Sequence, residues 1–163
     1  MNQTAATLSV SGLAPEQQSM VERAQQGFHC SEILLFAGLE AQGKTNPELV
    51  RTVSALAGGM GFSGEVCGAL TGGVCLFGLY AGRGAVEEIE HPNMQLMIHE
   101  LIDWFSQKYG EGYGGIRCRD ITEDDPNIAP TRCPRIVAAV HQKVKSILSE
   151  NGLIWDDLRG TGQ

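Results

Sequence analysis

The chain reads as an all-α protein: a compact bundle of four to five main helices around a buried, glycine-rich central helix. Three observations predict this. Apolar residues recur at helical spacing in successive segments, no segment alternates with period two, and Gly, Pro and Asn fall where helices start and stop. With 163 residues and 42% hydrophobic composition the chain can bury one core. No repeat, low-complexity tract or linker divides it. Residues 14–163 are therefore expected to form a single helical domain behind a flexible tail, 1–13, whose small polar residues carry no period.

Pro15 opens the first helix, expected from about 15 to 26, because Pro suits a first turn and Met20, Val21 and Ala24 follow at helical spacing. The stretch Phe28-His29-Cys30-Ser31-Glu32 leads into a second apolar run, Ile33 to Leu39, that ends at Gln42-Gly43. Asn46 then caps a third segment with Pro47 at its first position, running through Leu49, Val50, Val53 and Leu56 to Gly58-Gly59. Between Gly58 and Gly64 each interior Gly would cost a helix about 0.5–1 kcal/mol relative to Ala, so a tight loop is expected there.

After Glu65 no charged residue appears until Arg83, which describes a helix buried on every side. The run is short for a membrane span, rich in Gly and without an aromatic belt, so no membrane insertion is expected. From about Glu87 to Tyr109 an amphipathic pattern built on Met94, Met97, Ile98, Leu101, Ile102 and Phe105 predicts the longest helix. The glycines from 110 to 115 should break it. Cys118 to Ile121 reads as a short turn or helix entry, and Cys133-Pro134 as the start of the last helix. That helix carries a stripe of Ile136, Val137, Val140, Val144, Ile147 and Leu148 and stops at Asn151-Gly152. Leu153, Ile154 and Trp155 are placed to dock the tail.

Charge excludes several function classes. A net charge of −7 and twelve scattered Lys and Arg give no footprint for nucleic acid or anionic membrane. The N-terminus has neither the basic nor the apolar region of a secretory signal, so a cytoplasmic location is expected. Thiols stay reduced there, and five cysteines, an odd number, read as catalytic, metal-binding or buried residues rather than a disulfide framework. Cys30, Cys67 and Cys133 each fall at or beside an expected helix N-terminus, and Cys118 lies between Arg117 and Arg119. Each of these surroundings is expected to lower a thiol pKa.

With Cys67-Gly68-Ala69-Leu70-Thr71-Gly72 forming a CGAxxG block, Cys30 upstream and Cys118 and Cys133 downstream, the chain resembles a family of small redox-active proteins. That family is named for a C…GCAxxG…C…C pattern, and the resemblance spans about residues 20–140. The order here is C-G-A where the label has G-C-A. The resemblance implies a redox function without fixing a substrate. A related domain accompanies a split-Soret type of cytochrome, but no C-x-x-C-H haem attachment motif is present, so covalent c-type haem is not expected.

Three readings follow for the cysteines. In the first, Cys67 attacks a disulfide and Cys118 or Cys133 resolves it, with Cys30 nearby and a partner protein or a small thiol or disulfide as substrate. In the second, Cys30, Cys67, Cys118 and Cys133 ligate an iron–sulfur cluster or zinc, despite the lack of compact C-x-x-C pairs. In the third, the cysteines pack the core of a helical interaction module, as Cys75 is expected to do on any reading. Gly64, Gly68 and Gly72 are candidate positions for close approach of backbone to a neighbouring helix or a bound group. His29 beside Cys30 is a candidate base or ligand but more often a cap, His91 reads as loop, and His99 and His141 read as surface residues. A homodimer would complete the burial of any uncharged helix surface left over.

Overall fold

A computed structural model of the chain describes residues 12–156, and its regular elements are helical, as the periodicities predict. Most of the expected tail, residues 1–11, lies outside the described residues. Seven helices carry the fold: α1 Pro15–Gln25, α2 Cys30–Ala41, α3 Pro47–Val53, α4 Gly68–Ala81, α5 Met94–Phe105, α6 Cys118–Thr122 and α7 Ala129–Glu150. Their starts follow the caps in the sequence. Asn46 Oδ1 accepts the Leu49 N–H at 2.9 Å, and the Glu32 carboxylate accepts the His29 N–H at 2.9 Å. No helix among the described residues is long and apolar enough to cross a membrane.

α4 packs against α2, α5 and α7. Its Leu76 and Phe77 are fully buried with Leu34 of α2, Leu101 and Phe105 of α5, and Val140, Val144 and Ile147 of α7. Each such side chain contributes about 1.5–3 kcal/mol by leaving water. The enclosure is incomplete along one edge, where Gly78 is exposed and Val74, Cys75, Leu79 and Tyr80 are half-buried. A second, smaller cluster of Leu35, Leu39, Val50 and Val53 joins α2 to α3, and Cys75 packs against it.

Four expectations are corrected. The longest helix is α7, with 22 residues, rather than the segment from 87 to 109. Residues 83–93 form a loop, because Glu87, Glu88 and Glu90 repel one another and Val86 and Ile89 are 82% and 91% exposed, with no apolar face to bury. The glycines from 110 do not end α5 at once. A π turn, Ser106–Gly110, and a helical turn, Glu111–Tyr113, carry it on until Gly114 turns left-handed at φ 80°. α7 starts at Ala129, with Pro130 in its first turn, so Cys133 lies a turn inside the helix and Pro134 interrupts its hydrogen-bond ladder.

The fourth correction concerns His141. It is 1% exposed, with neither ring nitrogen hydrogen-bonded, because it falls on the same face of α7 as Val137, Val144 and Leu148. Trp155 caps this region, packing edge-on against His141 and stacked on Tyr80 at 5.1 Å. Its Nε1 donates to Glu16 at 3.0 Å and its carbonyl accepts from the Tyr80 hydroxyl at 2.8 Å. Of the three residues expected to dock the tail, Trp155 is buried, Leu153 is half-buried, and Ile154 is 55% exposed.

Candidate functional site

The glycine-rich loop before α4 takes an unusual form. Gly58, Gly59, Met60, Gly61 and Phe62 all have φ between 60° and 74°, a left-handed turn of five consecutive residues. For Met60 and Phe62 this conformation costs roughly 1–2 kcal/mol each. Backbone bonds from Phe62 N to Ala57 O at 3.0 Å, from Gly64 N to Gly58 O at 3.2 Å and from Glu65 N to Gly59 O at 3.0 Å hold it closed. The Arg119 side chain clamps its end by donating to the Ser63 carbonyl at 2.6 Å. A Cβ on Gly59 would enter the Glu65 backbone and come within 2.9 Å of the Cys118 Cβ, so the turn lies directly on Cys118.

From this turn the chain makes an isolated antiparallel bridge, Val66 with Arg117. Cys67 N donates to Ile116 O at 3.0 Å and Cys118 N to Glu65 O at 2.7 Å. Side chains alternate across such a bridge, so Cys67 and Cys118 occupy one face as diagonal neighbours. Cys30, at the start of α2, completes a third side. Its Sγ lies 2.5 Å from where a Cβ of Gly68 would stand, and the Gly58 backbone is near enough to oppose the rise of its thiol pKa. Cys133 approaches from α7. Its thiol is pushed up by burial and then by Cys30 and Cys118, as the Cys67 thiol is by burial and then by Cys30 and Cys133. Cys30 and Cys133 thus each stand close enough to all three of the other thiols to act on them or be acted on. Cys75 sits apart, against the second hydrophobic cluster.

All five cysteines are free, and every thiol pKa is raised rather than lowered. Burial is the largest cause throughout. Cys67, 7% exposed, rises to about 12 although the Ala69 and Leu70 backbone N–H groups of the α4 first turn act to lower it. Cys133 rises to about 11 through burial and the neighbouring thiols. The arginines beside Cys118 give it no relief. Arg117 and Arg119 turn to Glu65 at 3.6 and 3.5 Å, and the charge that acts on Cys118 is Asp124, which raises it further. Desolvation outweighs the helix N-terminus here.

The three candidate glycines each allow a close approach. A Cβ at Gly68 would meet Cys30 Sγ and, at 2.9 Å, the Leu56 carbonyl. One at Gly72 would meet the Ser31 Cα of α2 at 2.9 Å, and Gly64, at φ 78°, lies under the Arg119 side chain. Among the described residues no three His, Cys, Asp or Glu side chains are spaced to hold a single metal ion.

Sequence reasoning missed Glu32, which is 8% exposed and bonds His29 Nδ1 at 3.2 Å as well as the His29 N–H. The signal was present as Glu three positions after the cap residue. His29 also packs edge-on against Phe62 of the left-handed turn, 5.1 Å between ring centres. His99 is exposed, as expected, and His91 lies in the loop before α5.

The family model described as "Putative redox-active protein (C_GCAxxG_C_C)" matches residues 28–147, a span holding all four clustered cysteines, the left-handed turn and His29 with Glu32. No curated protein matches the chain, and no solved structure does.

Proposed function

The chain belongs to the redox-active C_GCAxxG_C_C family, and from that premise we propose that its cysteine cluster performs thiol–disulfide exchange with a small disulfide or a partner protein. The observation that carries this reading is convergence. Four thiols from four separate segments meet around the first turn of α4, and the fifth does not.

Accessibility orders the steps. Cys67 is the most enclosed of the four, while Cys30, Cys118 and Cys133 are half-buried; of these three, Cys118 lies on the short helix α6 between the exposed Arg117 and Arg119, and exchange is placed to begin there. Its thiolate attacks one sulfur of the incoming disulfide, the substrate S–S bond breaks, and the first leaving thiolate takes up the proton that Cys118 lost. Cys30 then attacks the Cys118 sulfur of the mixed disulfide and releases the second thiol. Two protein thiols become one disulfide while one substrate disulfide becomes two thiols, so atoms and electrons balance. With ordinary pKa values raised by burial, little thiolate exists at neutral pH, and a proton acceptor is needed. His29 is the imidazole adjacent in sequence to Cys30, and Glu32 fixes its Nδ1, leaving Nε2 as acceptor.

Turnover of a small disulfide coupled to a dithiol reductant tests the reading. Cys118→Ser and Cys30→Ser should each lower the rate at least a hundredfold, with Cys75→Ser unchanged. Equal activity in all three variants would remove the cluster from the chemistry.

A further inference from the structure

Away from the thiols, α1, α2 and α3 enclose an open groove of about 460 Å³. Its floor is apolar, made of Phe28, Phe36, Leu39 and Val50. Phe28 and Phe36 meet edge to face at 4.7 Å. Its rim holds Arg23, Lys44 and Arg51, three of the twelve basic residues of a chain whose net charge is −7. That volume and composition, an apolar body with a few placed charges, are those of a small-molecule site.

Two carboxylates also line the groove, and both are engaged. Glu32 is occupied by the His29 backbone and ring, and Glu40 by Arg23 at 2.7 Å and the Ser19 hydroxyl at 2.7 Å. Arg23 is held in turn over the Phe36 ring at 4.2 Å. Among the described residues neither Lys44 nor Arg51 has a carboxylate oxygen within 4.0 Å. The charge left uncompensated at the mouth is therefore positive, above a floor that favours an aliphatic or aromatic body.

We propose that this groove binds a small amphipathic monocarboxylate, its apolar body on Phe28, Phe36, Leu39 and Val50 and its carboxylate between Lys44 and Arg51. The acids on the walls, though engaged, repel any further negative charge brought near them, so a single carboxylate held between Lys44 and Arg51 is a better match than a polyanion. The site neither contains nor touches a clustered cysteine, and it stands whether or not the exchange chemistry does.

Calorimetric titration of the full chain with decanoate, kept below its micellar concentration, tests this directly. One saturable site per chain is expected, weakened at least tenfold in the double variant Lys44→Gln, Arg51→Gln, with decyltrimethylammonium failing to bind. Both substituted residues lie outside the core, and an unchanged thermal unfolding midpoint shows that the double variant is folded. Phe36→Ala should weaken binding by a similar factor while leaving both cations in place. Absence of saturable heat, equal affinity in the folded double variant, or tighter binding of the cationic amphiphile would each overturn the assignment.

Discussion

Cys67 and Cys118 both sit where a helix begins, yet the structure gives them different accessibilities. Cys67 is the N-cap of α4 and is enclosed by α2, α7 and the bridge, whereas Cys118 opens the five-residue α6 and is only half-buried. With its pKa pushed up to about 12 by burial, Cys67 stays almost wholly protonated at pH 8. Alkylation by iodoacetamide, followed by peptide mass spectrometry, should therefore label Cys118 first and Cys67 last, at rates at least tenfold apart. The native rates should keep climbing between pH 8 and 11, since every thiol is shifted upward, whereas denatured protein should level off by about pH 10. The identity of the four clustered cysteines was legible in their order around the CGAxxG block. The direction of their pKa shifts was not, because desolvation depends on which helices cover a thiol, and a sequence shows only its neighbours in the chain. Glu32 was legible in principle, as the third residue after a cap, but its burial came from packing.

Helix starts and stops were the most readable features of the elements. Asn46-Pro47, Gln42-Gly43 and Asn151-Gly152 act through local backbone chemistry and fall where expected. The left-handed turn from 58 to 62 was legible only as a break. Its handedness is imposed by the closure of Gly59 onto Cys118 and Glu65 from a distant segment. Pro134 misled for a related reason: proline marks a first turn locally, but α7 gains enough buried contact along its stripe to run through it. Two substitutions separate these influences on α4. Gly68→Ala should destabilise the protein by about 1–3 kcal/mol in urea unfolding, since its Cβ meets Cys30 Sγ and a fixed carbonyl. Gly78→Ala, with nothing within 4 Å and a helical backbone, should stabilise it by about 0.5–1 kcal/mol.

Across the whole molecule, the all-α class followed from periodicity, but the join between the two ends of the described residues did not. Glu16 near the start, Tyr80 in α4, His141 in α7 and Trp155 near the end of the described residues form one assembly. His141 lay on the apolar stripe by spacing, and its residue type argued for the surface. Burial lowers its pKa, with Glu16 at 3.9 Å opposing and Lys145 reinforcing the shift. The unfolded chain therefore binds the proton first, and stability contributed by neutral His141 is present above about pH 6.5 and lost as pH falls through the lower folded value. Urea unfolding measured from pH 7.5 to 5 should show the wild type losing stability, by about 1.4 kcal/mol for each tenfold difference in proton affinity between the unfolded and folded chains, and His141→Leu losing less. The central claim is that the convergent thiols are a redox site, and disulfide mapping tests it most directly. Protein purified anaerobically, assayed for metal and treated with one equivalent of a small disulfide should be colourless and metal-free, lose two of its five thiols, and yield a peptide joining Cys30 to Cys118. Retention of all five thiols, or a visible sulfur-to-metal absorption band with bound metal that is lost on any Cys→Ser change in the cluster, would contradict it.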